Sequence, residues 1–280
     1  MTSPVVKAAV AAALCVAATC VAATSSFAAD MALKAPPPAP IVAPPSWTGF
    51  YLGAHVGYGW GDAEVTLRPG PWFPGQPAWL TANGSPTLNT SGALGGFQAG
   101  YNSQIGNWVL GVEADFSFAD INGSRSTGLL TPPPALALAN RSFAESDHLD
   151  WLATFRGRLG YSVQSLLVYA TGGLALGHRD YSQSILTDPA LNFNNIRGSV
   201  TQTKTGWTVG GGLEYALTRN WSVKAEYLYV DLGSIGFFAD VDTAPGFGLT
   251  VDSSSKLTLH TARAGINYRF DWGAPVVAKY

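Results

Sequence analysis

The stretch Gly106-Asn107-Trp108-Val109-Leu110-Gly111-Val112-Glu113-Ala114-Asp115-Phe116-Ser117-Phe118-Ala119-Asp120 alternates strictly between two chemistries. Trp108, Leu110, Val112, Ala114, Phe116 and Phe118 fall on one parity; Gly111, Glu113, Asp115 and Ser117 fall on the other. Successive side chains of a β-strand point to opposite faces, so this segment is a strand with one apolar face and one charged face. The pattern recurs. Trp151, Ala153, Phe155, Gly157, Leu159 and Tyr161 oppose Thr154, Arg156, Arg158 and Ser162; Trp207, Val209, Leu213 and Tyr215 oppose Thr208 and Glu214. Near the end, Ala262, Ala264, Ile266, Tyr268 and Phe270 oppose Arg263, Asn267 and Arg269. Period-two segments are expected over 47–61, 90–103, 106–120, 148–163, 166–181, 203–217, 220–235 and 256–270.

The connections sort into two lengths. Gln104-Ile105, Gln164-Ser165 and Thr218-Arg219 are expected as two-residue turns, and the remaining connections run to about 20–28 residues each. Long loops on one rim and short turns on the other are expected of an outer-membrane barrel, whose short turns lie in the periplasm. All eighteen prolines fall outside the expected strands, as a closed ladder requires, because proline has no N–H to donate. The expected fold is all-β: an eight-stranded antiparallel up-and-down transmembrane β-barrel over 47–270. An even strand number puts both ends of the barrel on the short-turn side.

In such a barrel the apolar face meets lipid and the charged face fills the lumen. The inward set is then Glu113, Asp115, Glu214 and Glu226 against Arg156, Arg158, Lys224, Arg263 and Arg269. Charges of both signs in a dry lumen are expected to pair, since an isolated buried charge is costly. Trp47, Trp60, Trp108, Trp151, Trp207, Trp221, Phe116, Phe118, Tyr161, Tyr215, Tyr268 and Phe270 lie near segment ends, where aromatic girdles mark the two membrane interfaces.

Charged residues make up only 12% of the chain against 32 glycines, nine Trp and eleven Tyr, which fits a β protein in contact with lipid. Net charge is −2, so the whole-chain balance offers no electrostatic case for nucleic acid. Lys7, the Ala/Val-rich run 8–23 and Ser26-Phe27-Ala28 form the n-region, h-region and small-x-small site of a signal peptide over 1–28. Both cysteines, Cys15 and Cys20, fall within it, so the processed chain is expected to hold no thiol. Residues 29–46 are a proline-rich periplasmic linker, too extended to pack a core, and 271–280 form a short tail.

Several of these segments together resemble a known family. Trp47-Thr48-Gly49-Phe50-Tyr51-Leu52-Gly53 is similar to the opening strand of the small outer-membrane β-barrel proteins of alphaproteobacteria, described as outer-membrane immunogenic or porin-family proteins. Gly95-Gly96-Phe97-Gln98-Ala99-Gly100-Tyr101-Asn102 resembles its second strand, and Arg156-Gly157-Arg158-Leu159-Gly160-Tyr161 its fourth. Lys224-Ala225-Glu226-Tyr227-Leu228-Tyr229-Val230-Asp231-Leu232-Gly233 resembles its seventh, and Arg263-Ala264-Gly265-Ile266-Asn267-Tyr268-Arg269-Phe270 its last. The resemblance implies an integral outer-membrane protein that meets outer-membrane lipids and lipopolysaccharide and is inserted by the barrel-assembly machinery. Family barrels end on the aromatic of the last strand, which that machinery reads. Here Asp271–Tyr280 follows, so the assembly signal is expected at Phe270 or Tyr280.

No catalytic, cofactor or metal site is expected. His55, His148, His178 and His260 form no close ligand pair in sequence. His260 with Ser253–Ser255 is the nearest approach to a hydrolase set, but no glycine-flanked nucleophile elbow accompanies it. Gly210-Gly211-Gly212 lies inside a strand, with no lysine or helix to make a phosphate loop. The expectation is therefore a structural or surface-exposed envelope protein with a side-chain-filled lumen. The alternatives are a narrow porin, a loop-mediated binder of a ligand such as haem, or an outer-membrane lipid-modifying enzyme.

Overall fold

The computed structural model describes residues 46–70, 75–136, 138–188, 195–240 and 250–270. The expected signal peptide 1–28, all but the last residue of the linker 29–46, and the tail with Tyr280 lie outside the described residues.

Eight antiparallel strands close into one ring in sequence order: β1 (Gly49–Pro69), β2 (Thr87–Ile105), β3 (Trp108–Ser126), β4 (Arg141–Val163), β5 (Leu166–Thr187), β6 (Ile196–Ala216), β7 (Trp221–Asp240) and β8 (Thr250–Arg269). β1 and β8 seal the ring from Tyr51↔Arg269 to Pro69↔Val251. The period-two pattern places every strand where it was expected but understates strand length on the long-loop side. There the outward positions turn polar, as in Asp62, Glu64 and Arg68 of β1, so the two-chemistry contrast fades while the backbone ladder continues.

This corrects four expectations. The long connections shrink to 70–86, 127–140, 188–195 and 241–249. Pro69 is the last residue of β1 rather than a loop residue; at a strand terminus its missing N–H costs little. The β2–β3 turn is Gly106-Asn107, with Gly106 at φ 61°, and the β6–β7 connection is 217–220. Finally, the β1–β2 connection carries a helix, α1 (Gln76–Gly84), with Pro77 in its first turn.

Exposed apolar side chains form the outer band. Trp108, Tyr161, Tyr215, Trp221 and Tyr268 lie at the short-turn end; Trp60, Phe118 and Trp207 lie at the other. Such a band is ~25 Å tall in outer-membrane barrels. Trp47 is a further correction. It precedes β1 and is 1% exposed, inside the barrel mouth against Val109, Leu167, Tyr169 and Ala216. Its indole N–H donates to Ser162 Oγ at 2.9 Å. It stoppers the periplasmic end from within rather than anchoring in lipid.

The lumen is layered. Above the Trp47 stopper lies a charged layer; above that an apolar belt built around Leu94, Ile121, Leu152, Leu228 and Leu259; then a second polar layer; then an apolar cap of Leu67, Leu80, Phe143, Ile185, Ile196 and Val251. Leu80 comes from α1, so this helix packs into the upper apolar layer at the mouth. The wholly polar lumen expected from the alternation is thus replaced, in the upper half, by alternating apolar and polar layers.

Candidate functional site

The lower charged layer is built from side chains of five strands. β3 contributes Glu113 and Asp115, β4 Arg156 and Arg158, β6 Glu214, β7 Lys224 and Glu226, and β8 Arg263, all at most 5% exposed. Alternation puts each on the inner face, and the cross-strand register brings opposite charges level: Glu113↔Arg156, Glu214↔Lys224 and Glu226↔Arg263.

Arg156 occupies the centre. Its Nη2 donates to Glu113 Oε1 at 2.5 Å and Asp115 Oδ2 at 2.8 Å, its Nη1 to Glu226 Oε1 at 2.9 Å, and its Nε to Thr154 Oγ1 at 2.8 Å. Arg263 closes the other side, donating to Asp115 Oδ1 at 2.9 Å and Glu226 Oε2 at 2.6 Å. Lys224 Nζ lies 3.0 Å from Glu113 Oε1. Arg158 pairs with Glu214, which also accepts from Ser222 Oγ at 2.5 Å and Asn267 Nδ2 at 2.8 Å. Four cations meet four carboxylates, so the layer is neutral as a whole, and each carboxylate has several donors. Arg269 sits apart, at the rim: it donates to the Arg219 carbonyl and lies 5.5 Å over the Trp47 ring.

Period-two reading did not single out the tyrosines that complete the layer. Tyr51 donates to Glu113 Oε2 at 2.7 Å and Tyr169 to Glu226 Oε1 at 3.0 Å; the Arg158 guanidinium lies 3.6 Å over the Tyr169 ring. Each tyrosine stands opposite a glycine in the ladder, Tyr51↔Gly100 and Tyr169↔Gly212. A Cβ at Gly100 would meet Tyr51 Oη at 2.4 Å, and one at Gly212 would meet Tyr169 Oη at 2.6 Å, so each ring lies across the space left by its glycine. Their inward parity was the available signal. His55 also points inward, held at 2.9 Å by Gln98 Oε1 and at 2.8 Å by Ser117 Oγ.

The second polar layer also went unread. Arg179 pairs with Asp147 at 2.5 Å, and Ser255 donates to the same carboxylate at 2.5 Å. Tyr181 and Ser253 share a 2.7 Å bond, Ser253 donates to Gln183 Oε1 at 2.6 Å, and Gln183 donates to Glu145 Oε1 at 3.3 Å. Glu145 Oε2 has no hydrogen-bond partner among the described residues. Burial pushes this carboxyl above the usual range, against the opposing pull of Gln183 and Arg125. On β4 a bulge between Leu149 and Trp151 hides Glu145 and Asp147: below it even-numbered residues face inward, above it odd-numbered ones do, whereas Arg179 and Tyr181 keep the inward parity of β5 throughout.

The imagined hydrolase set does not assemble. Ser253 and Ser255 are fully buried inside, whereas His260 faces outward beside Trp60 and Tyr227; Ser254 shares that outward face but stands six residues along β8, about 20 Å away. His148 and His178 also line the outer wall, on either side of Asp150. Phe270 follows β8, and its amide donates to the Phe50 carbonyl at 2.9 Å.

Comparison with known proteins adds to this geometry. Residues 11–270 match the family described as outer membrane protein beta-barrel domain. The 31 kDa outer-membrane immunogenic protein of Brucella melitensis biotype 1 is 37% identical over 251 residues, covering 88% of this chain and 94% of the relative. The 22 kDa outer membrane protein of Rhizobium leguminosarum bv. viciae is 29% identical over 202 residues, 72% of each chain. Among solved structures, the outer membrane protein OprG from Pseudomonas aeruginosa aligns with a TM-score of 0.42 at 14% identity, covering 80% of this chain and 96% of that one.

Proposed function

The chain belongs to the outer-membrane β-barrel protein family and resides in the outer membrane, and from that premise we propose that it is a sealed, surface-exposed structural barrel without catalytic activity. The observation that carries this reading is the ring of ion pairs around Arg156, which links β3, β4, β7 and β8 across the lumen. An eight-stranded barrel is just wide enough for side chains to fill, and four cations with four carboxylates at one level support that reading. Trp47 below and Leu80 of α1 above support it further.

In this role the protein presents the 70–86, 127–140, 188–195 and 241–249 connections outside the cell, which is consistent with relatives named for immunogenicity. Its partners are outer-membrane lipids and lipopolysaccharide along the apolar band, and the barrel-assembly machinery during insertion. No nucleic-acid partner is proposed. Proteoliposome swelling with a small sugar tests the seal: vesicles carrying the folded barrel should swell no faster than empty ones. Incubation with lipid A or phospholipid tests the absence of catalysis. Acyl-chain release or transfer would replace the structural reading by an enzymatic one.

A further inference from the structure

β6 and β7 separate above the bilayer. Their ladder runs from Ala216↔Ser222 to Trp207↔Asp231 and stops. Both strands continue: β6 stays paired with β5 as far as Ile185↔Ile196, and β7 with β8 as far as Asp240↔Thr250. Among the described residues, segment 197–205 of β6 therefore has a ladder partner on one side only, while Gly206 still lies against the Asp231–Leu232 backbone.

The cause lies in β7. A bulge falls between Asp231 and Ser234, with Gly233 at φ 64°, a conformation other residues rarely adopt. The bulge turns the backbone inward: Gly233 N–H donates to Asp231 Oδ1 at 2.8 Å, and the Gly233 carbonyl accepts from the buried Arg179 Nη1 at 3.2 Å instead of from β6. Beyond it Phe237 lies across Gly198, where a Cβ would stand, and packs 5.8 Å from the Tyr181 ring, so it covers the inner face of β6 and not its hydrogen-bonding edge.

A free edge is a template for another strand, and natural edges are blunted with proline, bulges or charge. Residues 197–205, Arg197-Gly198-Ser199-Val200-Thr201-Gln202-Thr203-Lys204-Thr205, hold no proline and are rich in β-branched residues. Arg197 and Lys204 are their only charges, one on each face of the strand, and neither has a carboxylate within ion-pair distance among the described residues. A second copy of this edge would bring only further cations to the seam, whereas a strand carrying carboxylates offers partners for Arg197 and Lys204.

We propose that segment 197–205 of β6 is a strand-addition site for an extended acidic polypeptide segment outside the cell. Main-chain hydrogen bonds would supply affinity, and the two cations would set the preference for acidic side chains.

The test uses the whole barrel in detergent and a blocked, fluorescein-labelled octapeptide of alternating glutamate and threonine. Saturable binding is expected, with slowed amide exchange confined to 197–205, and the lysine–threonine counterpart should not bind. The double variant R197E/K204E should bind the acidic peptide about tenfold more weakly. Neighbouring N–H groups point to opposite sides of β6, so of V200P and T201P one breaks the β5 ladder and the other should keep the fold and lose the peptide. Three outcomes would each overturn the proposal: every amide of 197–205 already protected in the free barrel, acidic-peptide binding indifferent to R197E/K204E, or protection that arises only through concentration-dependent dimers of the barrel.

Discussion

Arg156 Nη1 on β4 donates to Glu226 Oε1 on β7 at 2.9 Å, a bond across the lumen between strands that are not neighbours in the ring. It ties opposite walls together, and the same guanidinium also holds Glu113 and Asp115. Removing it leaves three buried carboxylates short of a cation. We predict that Arg156→Ala lowers unfolding stability by about 3–5 kcal/mol, read as a shifted urea midpoint in detergent. Removing both partners, as Arg156→Met with Glu226→Gln, should cost clearly less than the sum of the single changes. Additive losses would show that the pair does not act as a unit.

The tyrosines of this layer depend on glycines. With Tyr51 Oη lying where a Gly100 side chain would begin, Gly100→Ala must displace the ring and break its 2.7 Å bond to Glu113. The expected loss is about 1–3 kcal/mol, the usual cost of overpacking. Tyr51→Phe in the Gly100→Ala background should then cost little more. Full stability in Gly100→Ala would mean that Tyr51 has room to move.

Glu145 lies above the bilayer level, since β4 carries its apolar outer face only from Trp151 downward. Its carboxyl is raised in the folded state by burial, so folding favours the protonated form. The folded barrel then binds more protons than the unfolded chain, and this residue's contribution to stability is present at low pH and lost as pH rises through the glutamate range. Glu145→Gln should therefore stabilise the barrel at neutral pH, because the amide is neutral at every pH and no charge is then buried. The gain should vanish once the wild-type carboxyl is protonated. An equal gain at every pH, or a loss at neutral pH, would contradict this.

How much of this was legible in the sequence depended on where the two-chemistry alternation held. Across the apolar band, Glu113, Arg156 and Glu226 could be placed inside from parity alone, because lipid on one face and charge on the other make the contrast sharp. Above the band both faces carry polar residues, and parity no longer distinguishes them. At Leu149/Trp151 the bulge also inverts parity on β4, which hides Asp147; its partner Arg179 keeps the inward odd parity of β5, a signal that was available. Trp47 has the composition of a girdle residue, and only its position before β1 makes it a stopper. The α1 cap gave no amphipathic signal of its own; Leu80 is buried because Leu67 and Phe143 receive it.

That cap supplies a local prediction. Leu80→Ala removes the buried side chain by which α1 enters the upper apolar layer, so residues 75–84 should become readily cleaved by proteinase K. The urea midpoint of the strands should change far less, because the ion-pair layer is independent of α1. Unchanged protease resistance would show that Leu80 does not hold the cap.

The central claim, a lumen closed by its own side chains, is tested most directly by planar-bilayer recording of the folded, unmodified barrel. The account predicts a baseline without stable openings, in wild type and in Leu80→Ala alike, because the Arg156 layer remains intact beneath the cap. Long-lived, ohmic openings from the wild-type protein would contradict it and make the lumen a pore.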